Sequence, residues 1–141
     1  MSIKNIFGIA GTALNAQVIR MNTTASNIAN AGTVSPTEAE AFRAKRPVFR
    51  ALVDQADLNR GAPYLGGVKV KEIVDDTLPV RKVHDPGNPE ANEEGYVFLS
   101  NVNEVTEMVE MMAASRSYQN NVEVVSTARQ LMMRTLEITK A

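Results

Sequence analysis

Mainly apolar residues recur at spacings of three and four near both ends of the 141-residue chain, and in the N-terminal series the two spacings alternate without a break. This spacing puts them on one face of an α-helix and is typical of a helix that packs against another helix. The N-terminal series comprises Ile3, Phe7, Ala10, Leu14, Gln17, Met21, Thr24 and Ile28. The C-terminal series comprises Val105, Met108, Met111, Ser115, Tyr118, Val122, Val125, Arg129, Met132, Leu136 and Thr139. The pattern predicts two long helices, over residues 2–31 and 101–140.

Residues that commonly cap or terminate helices stand at the expected limits of these helices. Asn30 and Gly32 can adopt left-handed backbone geometry, which predicts that the first helix stops there. Asn101 or Asn103 can cap the start of the second helix. Glu104 and its acidic neighbours lie where the helix dipole favours negative charge, which supports one continuous helix.

The segment between the helices contains turn residues and short alternating stretches. We expect an extended stretch at Pro47–Val53, a turn at Gly61–Gly67, a strand at Val68–Val74, its partner at Val80–Val83, and an irregular loop at His84–Asn92. The predicted fold is mainly α with a small β part, in which the terminal helices pair as an α-helical coiled coil. The predicted divisions are 1–32, 33–100 and 101–141.

The charged and titratable residues do not form a pattern that indicates catalysis. The net charge is −1, cysteine is absent, and His84 is the sole histidine. With no second His or Cys at a ligand spacing, we expect His84 to be a solvated loop residue and predict no catalytic, metal or cofactor site. The basic run of Arg43, Lys45, Arg46 and Arg50 is interpreted as a solvated face or as inter-subunit salt bridges. The near-neutral charge argues against a nucleic-acid partner.

Polar residues interrupt the N-terminal apolar stretch. Asn5, Asn15 and Gln17 leave no apolar core of a secretory signal and no run of about 20 apolar residues that could span a bilayer. We therefore expect no cleavable signal peptide and no membrane insertion. A protein of this kind that works outside the cytoplasm needs a signal-independent export route.

Several sequence motifs resemble those of the flagellar rod and hook protein family. They include Ala13–Gln17 and Ala25–Asn30 near the N-terminus, then Asp85–Asn92 and Ala114–Val122 in the second half. Phe42–Phe49 also fits the segment after the first helix. In order and spacing the match is similar to the family's proximal rod members, and it covers essentially the whole chain.

The resemblance implies a structural subunit of the bacterial flagellar basal body and not an enzyme. Residues 1–32 and 101–141 would be the helices of an inner tube domain, and residues 33–100 would form a linker and a small β-rich outer segment. The implied partners are copies of the chain, the rod proteins FlgB, FlgF and FlgG, the basal-body protein FliE, and the flagellar type III export apparatus. The implied location is the rod that spans the periplasm, where the subunit would carry torque and surround the export channel.

Two groups of residues are candidates for contacts between subunits. The apolar group, expected to pack, is Leu14, Met21, Ile28, Met108, Met112, Tyr118 and Val122. The polar group, expected to fix register, is Gln17, Asn27, Asn30, Arg116, Asn120 and Asn121. A polar residue in a helix seam costs stability but selects one register.

Other functions compatible with the pattern are a different rod-class subunit and a soluble coiled-coil adaptor or export chaperone. An adaptor would remain in the cytoplasm and bind one client at a defined stoichiometry. An enzyme is a third alternative, for which His84 would be the residue to substitute.

Overall fold

The computed structural model describes residues 3–52 and 66–140. Within them the chain forms two long helices and five short strands. The elements in chain order are α1 (Ile3–Ala29), β1 (Val34–Ser35), β2 (Lys45–Ala51), β3 (Val68–Asp75), β4 (Arg81–His84), β5 (Tyr96–Leu99) and α2 (Glu104–Lys140). This architecture confirms the prediction of a mainly α fold with a small β part. The predicted turn at Gly61–Gly67 lies largely outside the described residues.

Side chains, and not left-handed backbone, end α1. The Asn30 amide Nδ2 donates a hydrogen bond to the Ser26 carbonyl at 2.8 Å, and the Thr33 hydroxyl donates to the Asn30 carbonyl at 2.7 Å. Among the described residues only Gly95 has a positive φ, so Asn30 and Gly32 do not use the left-handed geometry that the sequence suggested. The helix nevertheless ends close to the predicted position, where the Asn30 backbone N–H also donates to the Ser26 and Asn27 carbonyls at 3.2 and 3.1 Å.

The start of α2 confirms one of the two predicted caps. The Thr106 amide N–H donates to Asn103 Oδ1 at 3.0 Å, which is the hydrogen bond expected of an N-cap asparagine. Glu104 and Glu107 lie in the first turn. Asn101 does not cap the helix and has a different role, described below.

The strands form two separate small sheets. One sheet has the order β1-β5-β4 with antiparallel neighbours, and its register pairs Val34 with Leu99 and His84 with Tyr96. The other sheet contains β2 and β3. The predicted pairing of Val80–Val83 with Val68–Val74 is therefore wrong. Residues 85–95 join β4 to β5, and the two strands pair as an antiparallel hairpin, whereas β3 pairs with β2.

Gly95 closes that loop in a conformation that favours glycine. Its φ is +78°, and a Cβ added there would lie 3.1 Å from the Pro86 Cβ. The Asp85 amide N–H donates to the Gly95 carbonyl at 2.9 Å, which brings the two ends of the loop together. His84 is exposed at the end of β4, and its ring meets Tyr96 edge-on with the ring centroids 4.9 Å apart.

The described chain divides into two compact units. The first comprises Met1–Ile19, Val48–Glu72 and Ala113–Ala141. Its buried side chains are small, namely Ala10, Ala16, Ala114 and Ala128, which allows helices to approach closely. The Val68 amide N–H donates to the Thr12 hydroxyl at 3.2 Å and so links β3 to α1 within this unit.

The second unit comprises Arg20–Pro47 and Ile73–Met112. Its apolar core is the cluster of Ala31, Ala44 and Val102, against which Phe42 packs. The Ser100 hydroxyl, fully buried, donates to the Ala31 carbonyl at 2.6 Å. Because this apolar core is small, buried polar contacts contribute much of the stability of the second unit.

Among the residues that the structure describes, no helix has the combination of length and hydropathy needed to cross a bilayer.

Candidate assembly surface

Asn27 and Glu107 join the two helices inside the second unit. Asn27 is 1% exposed and Glu107 is 0% exposed. Asn27 Nδ2 donates to the Glu107 carboxylate Oε2 at 2.9 Å and to the Lys45 carbonyl at 2.9 Å, while Asn27 Oδ1 accepts the Lys45 amide N–H at 2.7 Å. One asparagine therefore holds both α2 and the start of β2.

Arg46 supplies the positive charge that balances the buried carboxylate. Its Nη1 donates to Glu107 Oε1 at 2.7 Å, and its Nε donates to Asp76 Oδ2 at 3.3 Å. The Leu78 amide N–H donates to Asp76 Oδ1 and, together with the Arg46 guanidinium, holds the pKa of the Asp76 carboxyl below its ordinary value, against the opposing effect of burial. We call the set of Asn27, Arg46, Asp76 and Glu107 the polar bracket.

Asn101 fastens the segment before α2 to the rest of the second unit. Its Oδ1 accepts the Ala44 amide N–H at 2.7 Å, and its Nδ2 donates to the Leu78 carbonyl at 2.8 Å. These bonds explain why Asn103, and not Asn101, caps the helix.

The basic run is largely paired within the chain. Arg43 contacts Glu38 at 3.4 Å, Lys45 contacts Asp75, and Arg46 contacts the two carboxylates of the polar bracket. Lys45 and Arg46 pair with acids distant in sequence, whereas the partner of Arg43 is the nearby Glu38. Contacts of the basic run between subunits stay a prediction. Arg50 is exposed.

The first turns of α2 present apolar side chains to solvent on the face opposite Glu107. These are Val105, Met108, Val109 and Met112, which are 71%, 50%, 54% and 55% exposed. Their spacing of three, four and seven residues puts them on one side of the helix, about 100–160° from the buried Glu107 at roughly 100° per residue. We call these four residues the outer stripe.

The outer stripe is confined to the start of the helix. On the same side, the following turns carry Arg116, Gln119, Asn120 and Glu123, all exposed. A contiguous exposed apolar stripe that gives way to a polar surface marks an interaction site more often than scattered exposed side chains do.

The candidate contact residues have different degrees of exposure. In the apolar group, Leu14, Met21, Ile28 and Tyr118 are half-buried, whereas Met108, Met112 and Val122 are exposed. In the polar group, Asn27 is buried, Gln17, Asn30 and Asn121 are half-buried, and Arg116 and Asn120 are exposed. The buried Gln17 Oε1 has no hydrogen-bond partner among the described residues. The structure brings Asn27 into the polar bracket, and the role of the two groups between subunits stays a prediction.

Sequence reasoning missed the polar bracket and the role of Asn101. From the sequence, Glu107 is only one of the acidic neighbours of Glu104, and Arg46 is only part of a basic run. In the structure Glu107 lies seven residues before Ala114, which is also fully buried, so the two share one face of α2.

Comparison with known proteins places this arrangement in a family. The family model described as flagella basal body rod protein matches residues 7–37, and the model for the C-terminal region of the flagellar basal body rod FlgEFG proteins matches residues 93–138. The flagellar basal-body rod protein FlgC of Yersinia enterocolitica is 46% identical over 138 residues, which cover 98% of both chains. The chain belongs to the FlgC family of flagellar basal-body rod proteins.

Two further FlgC relatives agree with this placement. The FlgC of Salmonella typhimurium is also 46% identical, with 98% of both chains covered. That of Buchnera aphidicola from Acyrthosiphon pisum is 44% identical over 142 residues, which span 99% of this chain and all of the relative. A chain of the FlgC family is a structural rod subunit of the basal body that assembles with other rod proteins, and it is not an enzyme. The adaptor or chaperone alternative is not favoured.

Proposed function

We propose that this subunit polymerises through its terminal helices in the proximal rod, where it forms part of the torque-carrying shaft and of the wall of the export channel. The observation that supports this most strongly is the outer stripe. The face of α2 turned towards the chain is occupied by small and polar residues, while the apolar side chains of its first turns point away. A structural subunit needs such a surface to bind its neighbours.

Within one subunit, α1 and α2 are proposed to pair antiparallel as an α-helical coiled coil. In the second unit, Asn27 near the end of α1 bonds Glu107 near the start of α2. In the first unit, Ile6 near the start of α1 lines a shallow groove with Val124 and Ala128 of α2. Residues 1–32 and 101–141 would then form the inner tube domain, and residues 33–100 the β-rich outer segment.

The proposed partners follow from the family. They are copies of this chain, the rod proteins FlgB, FlgF and FlgG, and the basal-body protein FliE. We propose that the subunit reaches the periplasm-spanning rod through the flagellar type III export apparatus without a cleavable signal peptide. The apolar residues proposed to complete the packing are Leu14, Met21, Ile28, Tyr118 and Val122. The polar residues proposed to contribute to register between subunits are Gln17, Asn30, Arg116, Asn120 and Asn121.

Methionine oxidation tests this proposal on the unmodified chain. Hydrogen peroxide oxidises an accessible thioether to the sulfoxide and is reduced to water, and the rate follows exposure. We expect Met108 and Met112 to oxidise readily in the purified subunit and at least about fivefold more slowly in isolated basal bodies, because a neighbour covers them there. Peptide mass spectrometry after timed peroxide treatment gives both rates.

Basal bodies dissociated before oxidation serve as the control and should return both methionines to the rate of the free subunit. The half-buried Met111, on a different side of α2, is an internal reference for access of peroxide to the helix. Equal rates for Met108 and Met112 in the free subunit and the intact basal body would contradict the proposal that the outer stripe is a contact surface.

A further inference from the structure

An open groove lies beside the start of α2 in the second unit. Its volume is about 570 Å³, and its lining includes Ala31 and Val102, two members of the buried apolar cluster. Leu78 and Val105 also line it and are 59% and 71% exposed. Apolar side chains of the fold are thus accessible from outside at this place.

The lining of the groove also contains one basic and one acidic residue without ion-pair partners. Arg81 and Glu104 are both exposed, and neither makes a salt bridge within residues 3–52 and 66–140. An apolar centre beside one free cation and one free anion fits a partner that presents an exposed apolar side chain beside one free anion and one free cation.

The last described turns of α2 have this complementary pattern. Leu131, Arg134 and Ile138 follow one another at three and four residues and so share one side of the helix, with Glu137 next to it. Ile138 is 78% exposed, the highest value among the large apolar side chains of the described chain, and Leu131 is 58% exposed. Arg134 and Glu137 are exposed and have no salt bridge in the described part of the chain.

We propose that the groove of one copy binds the last turns of α2 of a second copy. Ile138 enters the groove beside Leu78 and Val105. Arg134 approaches Glu104, and Glu137 approaches Arg81. This inference rests on the proposed function, because it names the partner that contacts part of the outer stripe.

The contact joins two different surfaces of the same chain and is therefore heterologous. Because each copy keeps a free groove at one place and a free helix end at another, the contact can be repeated from copy to copy, and it builds an open helical series where the rotation between copies does not close a ring. The apolar residues supply the main attraction, and the two rim ion pairs select orientation, since exposed ion pairs contribute little affinity.

Site-directed cross-linking tests the contact on a clean background, because the natural chain has no cysteine. Val105→Cys with one affinity tag and Ile138→Cys with a second tag are co-expressed in cells that lack the natural subunit, and isolated basal bodies are treated with a mild oxidant. We expect a covalent dimer carrying both tags, at least about fivefold more abundant than with the control, because a disulfide needs Cβ atoms about 3.5–4.5 Å apart.

The matched control replaces Ile138→Cys by Ser126→Cys, which puts a thiol at another exposed position of α2. If Val105→Cys blocks incorporation, Leu78→Cys provides the groove thiol. Basal bodies that contain both variants but no double-tagged dimer above the control would overturn the contact and leave the proposed function intact, which would point to another rod protein in the groove. Failure of the unmodified chain to enter basal bodies would count against the proposed function itself.

Discussion

Replacing Asn27 by leucine is expected to lower the free energy of unfolding of the isolated subunit by about 2–4 kcal/mol. The substitution keeps the branched shape of the side chain but removes three hydrogen bonds, two to the backbone of Lys45 and one to Glu107. Because Glu107 is fully buried, its carboxylate would lose a donor that water cannot replace without opening the unit. Urea denaturation followed by circular dichroism should show a midpoint lower by about 1–2 M.

The matched control is Asn22→Leu, on the same helix. Asn22 is exposed, so this variant should stay within about 0.5 kcal/mol of the natural chain. If the two variants shift the urea midpoint equally, the polar bracket does not hold the second unit together.

The double substitution Val109→Glu with Met112→Glu is expected to abolish motility while leaving the subunit folded. Both side chains are more than half exposed in the single chain, so charges there remain hydrated and helix formation is not impaired. In an assembled rod the same charges would be buried against a neighbour. Losing the apolar contacts and burying unpaired carboxylates should weaken each contact by at least about 3 kcal/mol, which is more than a hundredfold.

Swimming in soft agar and electron microscopy of isolated basal bodies measure the effect, and urea denaturation shows whether the fold survives. The control Gln119→Glu with Gln130→Glu adds the same number of charges to the same side of α2 beyond the outer stripe. We expect the control to swim normally. Normal swimming of the Val109/Met112 double variant would show that the outer stripe is not a contact surface.

The helices were predictable from the sequence, but the face that α2 turns to its own chain was not. A series with a period of 3.5 residues drifts by about 20° per heptad on a straight helix with 3.6 residues per turn. In the predicted C-terminal series, two consecutive steps of three residues add to this drift and rotate the series by about 120° from the exposed Val105 to the half-buried Met111. Tyr118 and Val125 further along are also half-buried. Periodicity identifies such a helix but does not say which residues of the series pack inside the chain and which outside.

The packed face of the second unit cannot be recognised from an apolar pattern, because it consists of small and polar residues. Glu107, Asn27 and Ser100 are its largest fully buried side chains, and an interpretation based on apolar residues passes over all three. Their burial depends on Arg46 and on the Lys45 backbone, which approach only once β2 and both helices are in place. The β pairing was missed for a similar reason, because the strand at Val68–Asp75 finds its partner in Lys45–Ala51, which was predicted only as an extended segment.

The family motifs include more of the residues that hold the second unit together than the apolar periodicity does. Asn27 and Asn30 belong to the Ala25–Asn30 motif, and the structure gives both a defined structural task, one in the polar bracket and one at the end of α1. Asn101 likewise holds two segments of the second unit. A motif identifies such residues by position, but their hydrogen-bond partners are distant in sequence and can be identified only from the folded structure.

The most direct test of the central claim is a density map of the isolated basal body at side-chain resolution. The claim is that the subunit joins the rod through the apolar outer stripe of α2 while the polar bracket holds its own helices together. We expect Val105, Met108, Val109 and Met112 to contact another subunit, with Asn27 bonded to Glu107 of the same chain. A rod in which the outer stripe faces water, or in which Asn27 meets Glu107 of a neighbour, would contradict the claim.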